Sequence, residues 1–183
     1  MELLTGIGLA LPAGLNAYIP LLGLALAQRF GVIALAEPWS QIGEWWAIAL
    51  IAVLLLVEVV ADKVPAVDHV NDAIQTFVRP VAGAIVAVAA SGQAGENYPF
   101  VMVALGILLA GGVHAVKAGA RPVINAVSGG TGAPVASVAE DTAAVSATLI
   151  ALLLPALVVV VLFVVAGVAW WVWRRRRLTA EEG

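Results

Sequence analysis

The 183-residue chain contains no cysteine, which removes disulfides, thiolate nucleophiles and cysteine-ligated metals together. Charge is almost as scarce: 11% of residues are Asp, Glu, Lys or Arg, and the formal net charge is −3. Without a basic surplus the chain lacks the positive face that nucleic acid requires, so no such partner is expected. What fills the chain instead is hydrocarbon, with 62% hydrophobic residues and a mean hydropathy of +1.03. That composition lies outside the soluble range. Several apolar runs approach the roughly 20 residues that cross about 30 Å of hydrocarbon, which makes this an all-α integral membrane protein. The opening MELLTGIGLALPAG carries an acid and no base before its apolar run, which speaks against a cleavable secretory signal.

The apolar runs predict about six membrane-embedded helices, near 3–27, 45–62, 80–92, 99–116, 134–154 and 155–173, in one domain over 1–177 followed by a polar cytoplasmic tail at 178–183. Pro12 and Pro20 flank AGLNAY, and proline disturbs the hydrogen-bond ladder behind it, so the first segment is expected to be kinked or broken. The third is short enough to be partly re-entrant. Before it, Val67, Val70, Ile74 and Phe77 follow helical spacing, while Asp68, His69, Asn71, Asp72, Gln75 and Thr76 occupy the other faces. This pattern predicts a short interfacial helix on the cytoplasmic surface with a solvated polar face, a metal or regulatory role for Asp68, His69 and Asp72 being the alternative.

Residues 142–173 carry no charge and would make one helix of about 48 Å. The choice lies between that long helix and a tight hairpin at Pro155. Six crossings place Lys63, Arg79, Lys117, Arg121 and Arg174 to Arg177 on the cytoplasmic side, leave Arg29 outside, and put both termini inside. Trp170, Trp171 and Trp173 ahead of the arginines mark that boundary, and Trp39, Trp45 and Trp46 mark the opposite one.

Glu58 and Asp62 lie one helical turn apart on one face. Under six crossings they share a depth with His114 and Lys117 of a later span and with Glu140 and Asp141 of the next, so adjacent helices could gather all six into one polar pocket. Asn16, beside the prolines of the first segment, enters from above. Ionised groups inside a bilayer face the protein interior and commonly mark ion or proton paths. The bland alternative is a set of internal pairs, such as Lys63 or Lys117 with Glu58 or Glu140, that fixes helix register. Arg79 and Arg121, each in RPV, and with them Lys63 and Lys117, suit lipid phosphate or anion contact at the inner boundary. SGGTGAP at 128–134 offers free N–H groups to an anion or ion, or is simply a loop with Pro134 near a helix start. GLNAY at 14–18 and GVHAV at 112–116 form a weak internal repeat of the kind found in transporters.

The motifs GLNAYIPLL, ADKVPAVDHVND, RPVAGA, HAVKAGARP and SVAED together resemble the bacterial integral membrane family known as domain of unknown function four-one-two-six, over roughly residues 5–154. The resemblance implies several membrane helices in the bacterial cytoplasmic (inner) membrane and brings no substrate or catalytic residue with it. More loosely, EVVADK is similar to the acidic signature of membrane cation exchangers whose acids bind calcium or manganese. It differs by an extra residue between Glu58 and Asp62, by Ala61 for glycine, and by Val64 for the hydroxyl residue.

The leading expectation is a small secondary transporter or ion-conducting permease in which Glu58 and Glu140 bind a cation or exchange protons. Asp141 and Asp62 would complete the charge, and His114 would ligate or relay. If a metal is involved, Glu58, Asp62, Glu140 and Asp141 suit a divalent cation such as calcium, manganese or magnesium, and the bases equally suit an organic anion moved with protons. GILLAGG at 106–112 offers small residues for a homodimer. The second expectation is a non-transporting lipid-binding scaffold or accessory subunit of a membrane complex. An enzyme ranks third, because neither HExxH nor a nucleophile elbow occurs.

Overall fold

The computed structural model describes residues 1–62, 65–129 and 132–180. Lys63 lies outside them, and the side chains of Asp68, His69 and Asp72 are likewise outside what is described. The elements are α1 (Glu2–Ala13), α2 (Tyr18–Arg29), a 3-10 turn (Trp39–Gly43), α3 (Trp45–Ala61), α4 (Pro65–Ala90), α5 (Gln93–Asn97), α6 (Pro99–Ser128), α7 (Gly132–Leu153) and α8 (Ala156–Ala180). Among the described residues the fold is all-helical. Three stretches, Ala73–Ala90, Pro99–Ser128 and Pro134–Leu153, are long and apolar enough to cross a membrane. α3 is as apolar but shorter, at 17 residues.

The first segment breaks where its prolines predict, but it also reverses. α1 and α2 have 12 residues each, about 18 Å apiece, which is short of a bilayer's hydrocarbon thickness. Gly8 abuts Ala151 while Asn16 bonds Asp141, so α1 descends along α7; Gly23 abuts Thr148, so α2 climbs back. Glu2 shares a cavity with Ile33, Leu35 and Trp39, and Gly43 packs on Gln28, which puts both outer ends of the hairpin at one end of the bundle. The expected crossing over 3–27 is thus a hairpin whose tip, Gly14–Ala17, reaches inward. Asn16 holds the tip: its Oδ1 accepts from the N–H groups of Tyr18 and Ile19 at 3.1 Å each, satisfying free donors at the start of α2. Around the hairpin packs the main core of Leu9, Ala10, Leu24, Val86, Ala87, Ala151 and Val158.

The segment expected as a separate interfacial helix and the short third segment are one continuous helix, α4, with Pro80 inside it. α4 packs most closely on α6. A Cβ on Gly106 would strike the backbone of Gly83, and one on Gly83 would strike that of Gly106, so small residues of GILLAGG serve contact within the chain. The charge-free run at 142–173 is split at Leu154–Pro155. Val158 then packs on Gly8 and Ala151, and Val161 shares a cavity with Leu11, Ala143 and Ala147. α8 therefore folds back along α7 and runs in the same sense as α1.

These directions have a topological consequence. α3, α4, α6, α7 and α8 alternate between the two ends of the bundle while the α1–α2 hairpin returns to its starting end. Glu2 and the far end of α8 lie at opposite ends, whereas six crossings would put them together. The proposed internal repeat finds no counterpart in the backbone: 14–18 spans a helix break, and 112–116 lies in mid-helix in α6. The tail begins as helix, which continues to Ala180.

Candidate functional site

The hairpin tip meets a buried charge network in the half of the bundle away from Glu2. α3 supplies Glu58 and Asp62 at its last turn, α4 supplies Arg79, α6 supplies His114, Lys117 and Arg121, and α7 supplies Glu140. One turn apart on α3, Glu58 and Asp62 face the same way. Arg79 Nη2 donates to Glu58 Oε1 at 3.0 Å and stands 4.0 Å from Asp62 Oδ2. Lys117 Nζ lies 2.8 Å from Glu140 Oε2 and 3.5 Å from Asp62 Oδ2, and donates to the Leu15 carbonyl at the hairpin tip at 2.9 Å. Arg121 Nη2 reaches the same two oxygens, Glu140 Oε2 at 3.0 Å and Asp62 Oδ2 at 3.5 Å. Asp62 is the hub, and Asn71 secures its other oxygen at 2.6 Å.

Burial is nearly complete. The Arg79 side chain is 0% exposed and that of Glu58 1%, while Glu140 is the most open of the paired groups at 17%. Among the described residues three carboxylates thus face three cations, which offsets the large cost of taking either sign out of water. Isolated acids would be far more expensive there.

His114 has a defined role. Arginine can only donate, so the 2.8 Å contact between Arg79 Nη1 and His114 Nδ1 requires that nitrogen to accept. The proton then sits on Nε2, which points at Thr76 Oγ1, 3.1 Å away. His114 is a neutral imidazole that positions Arg79. Asp141 accepts from Asn16 Nδ2 at 3.1 Å and stands beside the network as its tie to the hairpin.

The structure therefore brings together Glu58, Asp62, His114, Lys117 and Glu140, with Asn16 and Asp141 adjoining. Arg79 and Arg121, expected at the lipid phosphates, turn inward and pair with the acids of α3 and α7. Among the described residues, Glu58, Asp62, Glu140 and Asp141 included, no three His, Asp or Glu side chains converge as a metal shell. Each acid is met by a cation or an amide instead. Asn71 and Gln75, expected on a solvated face, are buried beside the network, and Tyr18, which the sequence did not single out, joins them. Asn71, Gln75 and Arg79 recur every four residues, and that polar stripe was the available signal. Gln75 is buried and its Oε1 has no hydrogen-bond donor among the described residues, as is also true of Glu58 Oε2. The Tyr18 phenol, at the start of α2, faces both residues.

Ser128 absorbs part of the glycine-rich loop, accepting from the Gly132 N–H at 2.9 Å and donating to the Ile124 carbonyl at 2.7 Å. Gly130 and Thr131 of that loop lie outside the described residues.

No curated protein and no solved structure matches the chain. The family model for the domain of unknown function DUF4126 does match, over residues 3–175, nearly the whole length, and the chain belongs to that family.

Proposed function

We propose that this protein is a small proton-coupled secondary transporter or permease of the bacterial cytoplasmic membrane. In this reading α3, α4, α6, α7 and α8 cross the bilayer, and the α1–α2 hairpin is re-entrant from outside. The basic end, with Lys117, Arg121 and Arg174, faces the cytoplasm. Membrane lipids and a second copy of the chain are the partners it calls for, with a small ion or small molecule as cargo.

The observation that carries the proposal is the balanced network of buried charges touching the backbone of a broken helix. Discontinuous helices whose tips meet ionisable side chains at depth are how transporters build sites. Protonating Glu140, the most open acid of the network, removes the counter-charge shared by Lys117 and Arg121 and leaves Lys117 with Asp62, 3.5 Å away. Their release from α7 would loosen the hold on the Leu15 carbonyl and on the hairpin tip. The proton is thereby coupled to a movement.

The test is proton flux into liposomes containing the purified protein and a pH-sensitive dye. Wild type should carry a flux that Glu58→Gln and Glu140→Gln each reduce at least tenfold while remaining monodisperse and helical. The same pairing also supports a second reading, a non-transporting lipid-binding scaffold in which the ion pairs only lock helix register. No flux from any variant, with assembly impaired in both mutants, would favour that scaffold.

A further inference from the structure

Between α6 and α7 the helices part, leaving a groove of about 420 Å³ whose floor is Leu11 of α1 and Leu15 of the hairpin tip. Leu108 and Gly112 line its α6 wall, and it ends at Lys117 and Glu140. The walls are hydrocarbon and only this end is polar. Gly112 opens the middle: a Cβ added there would meet nothing within 4 Å. From Leu108 to Lys117 the groove follows α6 for about 14 Å, enough to take much of an alkyl chain laid along the helix.

The polar end is not symmetric in charge. Lys117 Nζ is occupied by Glu140 Oε2, Asp62 Oδ2 and the Leu15 carbonyl, and an ammonium has three donors to give. On Glu140 both Lys117 and Arg121 reach the same oxygen, Oε2, so Oε1 keeps its acceptor capacity. Of the two charged groups that line the groove, the one with unspent valence is the Glu140 carboxylate.

We infer that this groove binds an amphiphilic cation, a molecule with an alkyl tail and a primary ammonium head that donates to Glu140 Oε1. The inference deepens the transport reading by naming a substrate class, and it rests on that reading only for what happens after binding. An amphiphilic anion fits less well, since its head would have to displace Glu140 from Lys117 and Arg121. A lipid tail filling the groove without head recognition is the alternative outcome.

The probe is dodecylamine carrying a diazirine near its tail end, photolysed with the full-length protein in nanodiscs and mapped by mass spectrometry. Saturable labelling of the 108–116 segment is expected, competed by dodecylamine at least tenfold more effectively than by dodecyl sulfate. Glu140→Gln should abolish that preference. Gly112→Leu, which enters open space and should fold normally, should remove the labelling by filling the groove. Equal competition by the sulfate, or labelling indifferent to both substitutions, would overturn the inference. Proton flux that persists without amine labelling would sink this site and leave transport standing; amine labelling in a protein without flux would do the reverse.

Discussion

Arg79 is the residue on which the network turns, since its guanidinium bonds Glu58 and His114 at once. Removing one member of a buried pair strands the other's charge, which costs about 3–5 kcal/mol, whereas replacing both with apolar groups is often neutral. Arg79→Met is therefore expected to lower stability by about that amount, and the double variant Arg79→Met with Glu58→Leu to recover most of it. Reversible denaturation in detergent measures both. A single variant as stable as wild type would mean that Glu58 finds another partner. Asn16 gives a second contrast at this scale, because its oxygen serves two N–H groups of α2 and its amide serves Asp141. Asn16→Ala loses both functions. Asn16→Asp keeps the oxygen but sets two carboxylates together, and should be the less stable of the two in the same assay, a reversal of the ranking expected at an ordinary helix start.

Which residues would be charged and inside was legible from the sequence; which face of α4 held them was not. An interfacial helix would turn the polar side of α4 to water, yet Gln75 is 2% exposed and Arg79 0%, while Ile74 and Phe77 on the apolar side are 55% and 77% exposed. The amphipathic rule assumes water outside and oil within. In lipid the apolar stripe faces outward and the polar stripe faces in, so the same periodicity carries the opposite meaning.

At the scale of elements, the breaks at Asn16 and Pro155 were foreseeable because proline marks them, whereas the reversal of α1–α2 is set by tertiary contacts that no local pattern encodes. Small residues make those contacts. The α4–α6 pair depends on Gly83 and Gly106 meeting backbone to backbone, with no room for a Cβ on either. Gly106→Leu should force the helices apart and cost about 1–3 kcal/mol or more. Gly112→Leu, six residues along the same helix in open space, should cost nothing measurable and could even gain from better helix propensity. Melting temperatures of the two variants in one detergent make the comparison. An equal loss in both would show that α6 tolerates bulk poorly everywhere, not that it packs closely at one point.

For the whole molecule, the hairpin decides the topology. Counting apolar runs treats 3–27 as one crossing, makes the number of crossings even and brings the two chain ends to one side. Reversal at Gly14–Ala17, with the five crossings proposed above, makes the number odd and separates them. The chain has no cysteine, so each introduced cysteine is a unique reporter. Glu2, Glu37 and Val127 are exposed, as is Arg174. Glu2→Cys and Glu37→Cys should react with a membrane-impermeant maleimide from one side of sealed vesicles, and Val127→Cys and Arg174→Cys only from the other. In the proposed orientation the second pair is the cytoplasmic one. Labelling of Glu2→Cys and Arg174→Cys from the same side would restore a through-going first segment and remove the hairpin tip from the charge network. The Leu15 carbonyl would then no longer be available to Lys117, and the proposed link between protonation and movement would lose its mechanical part.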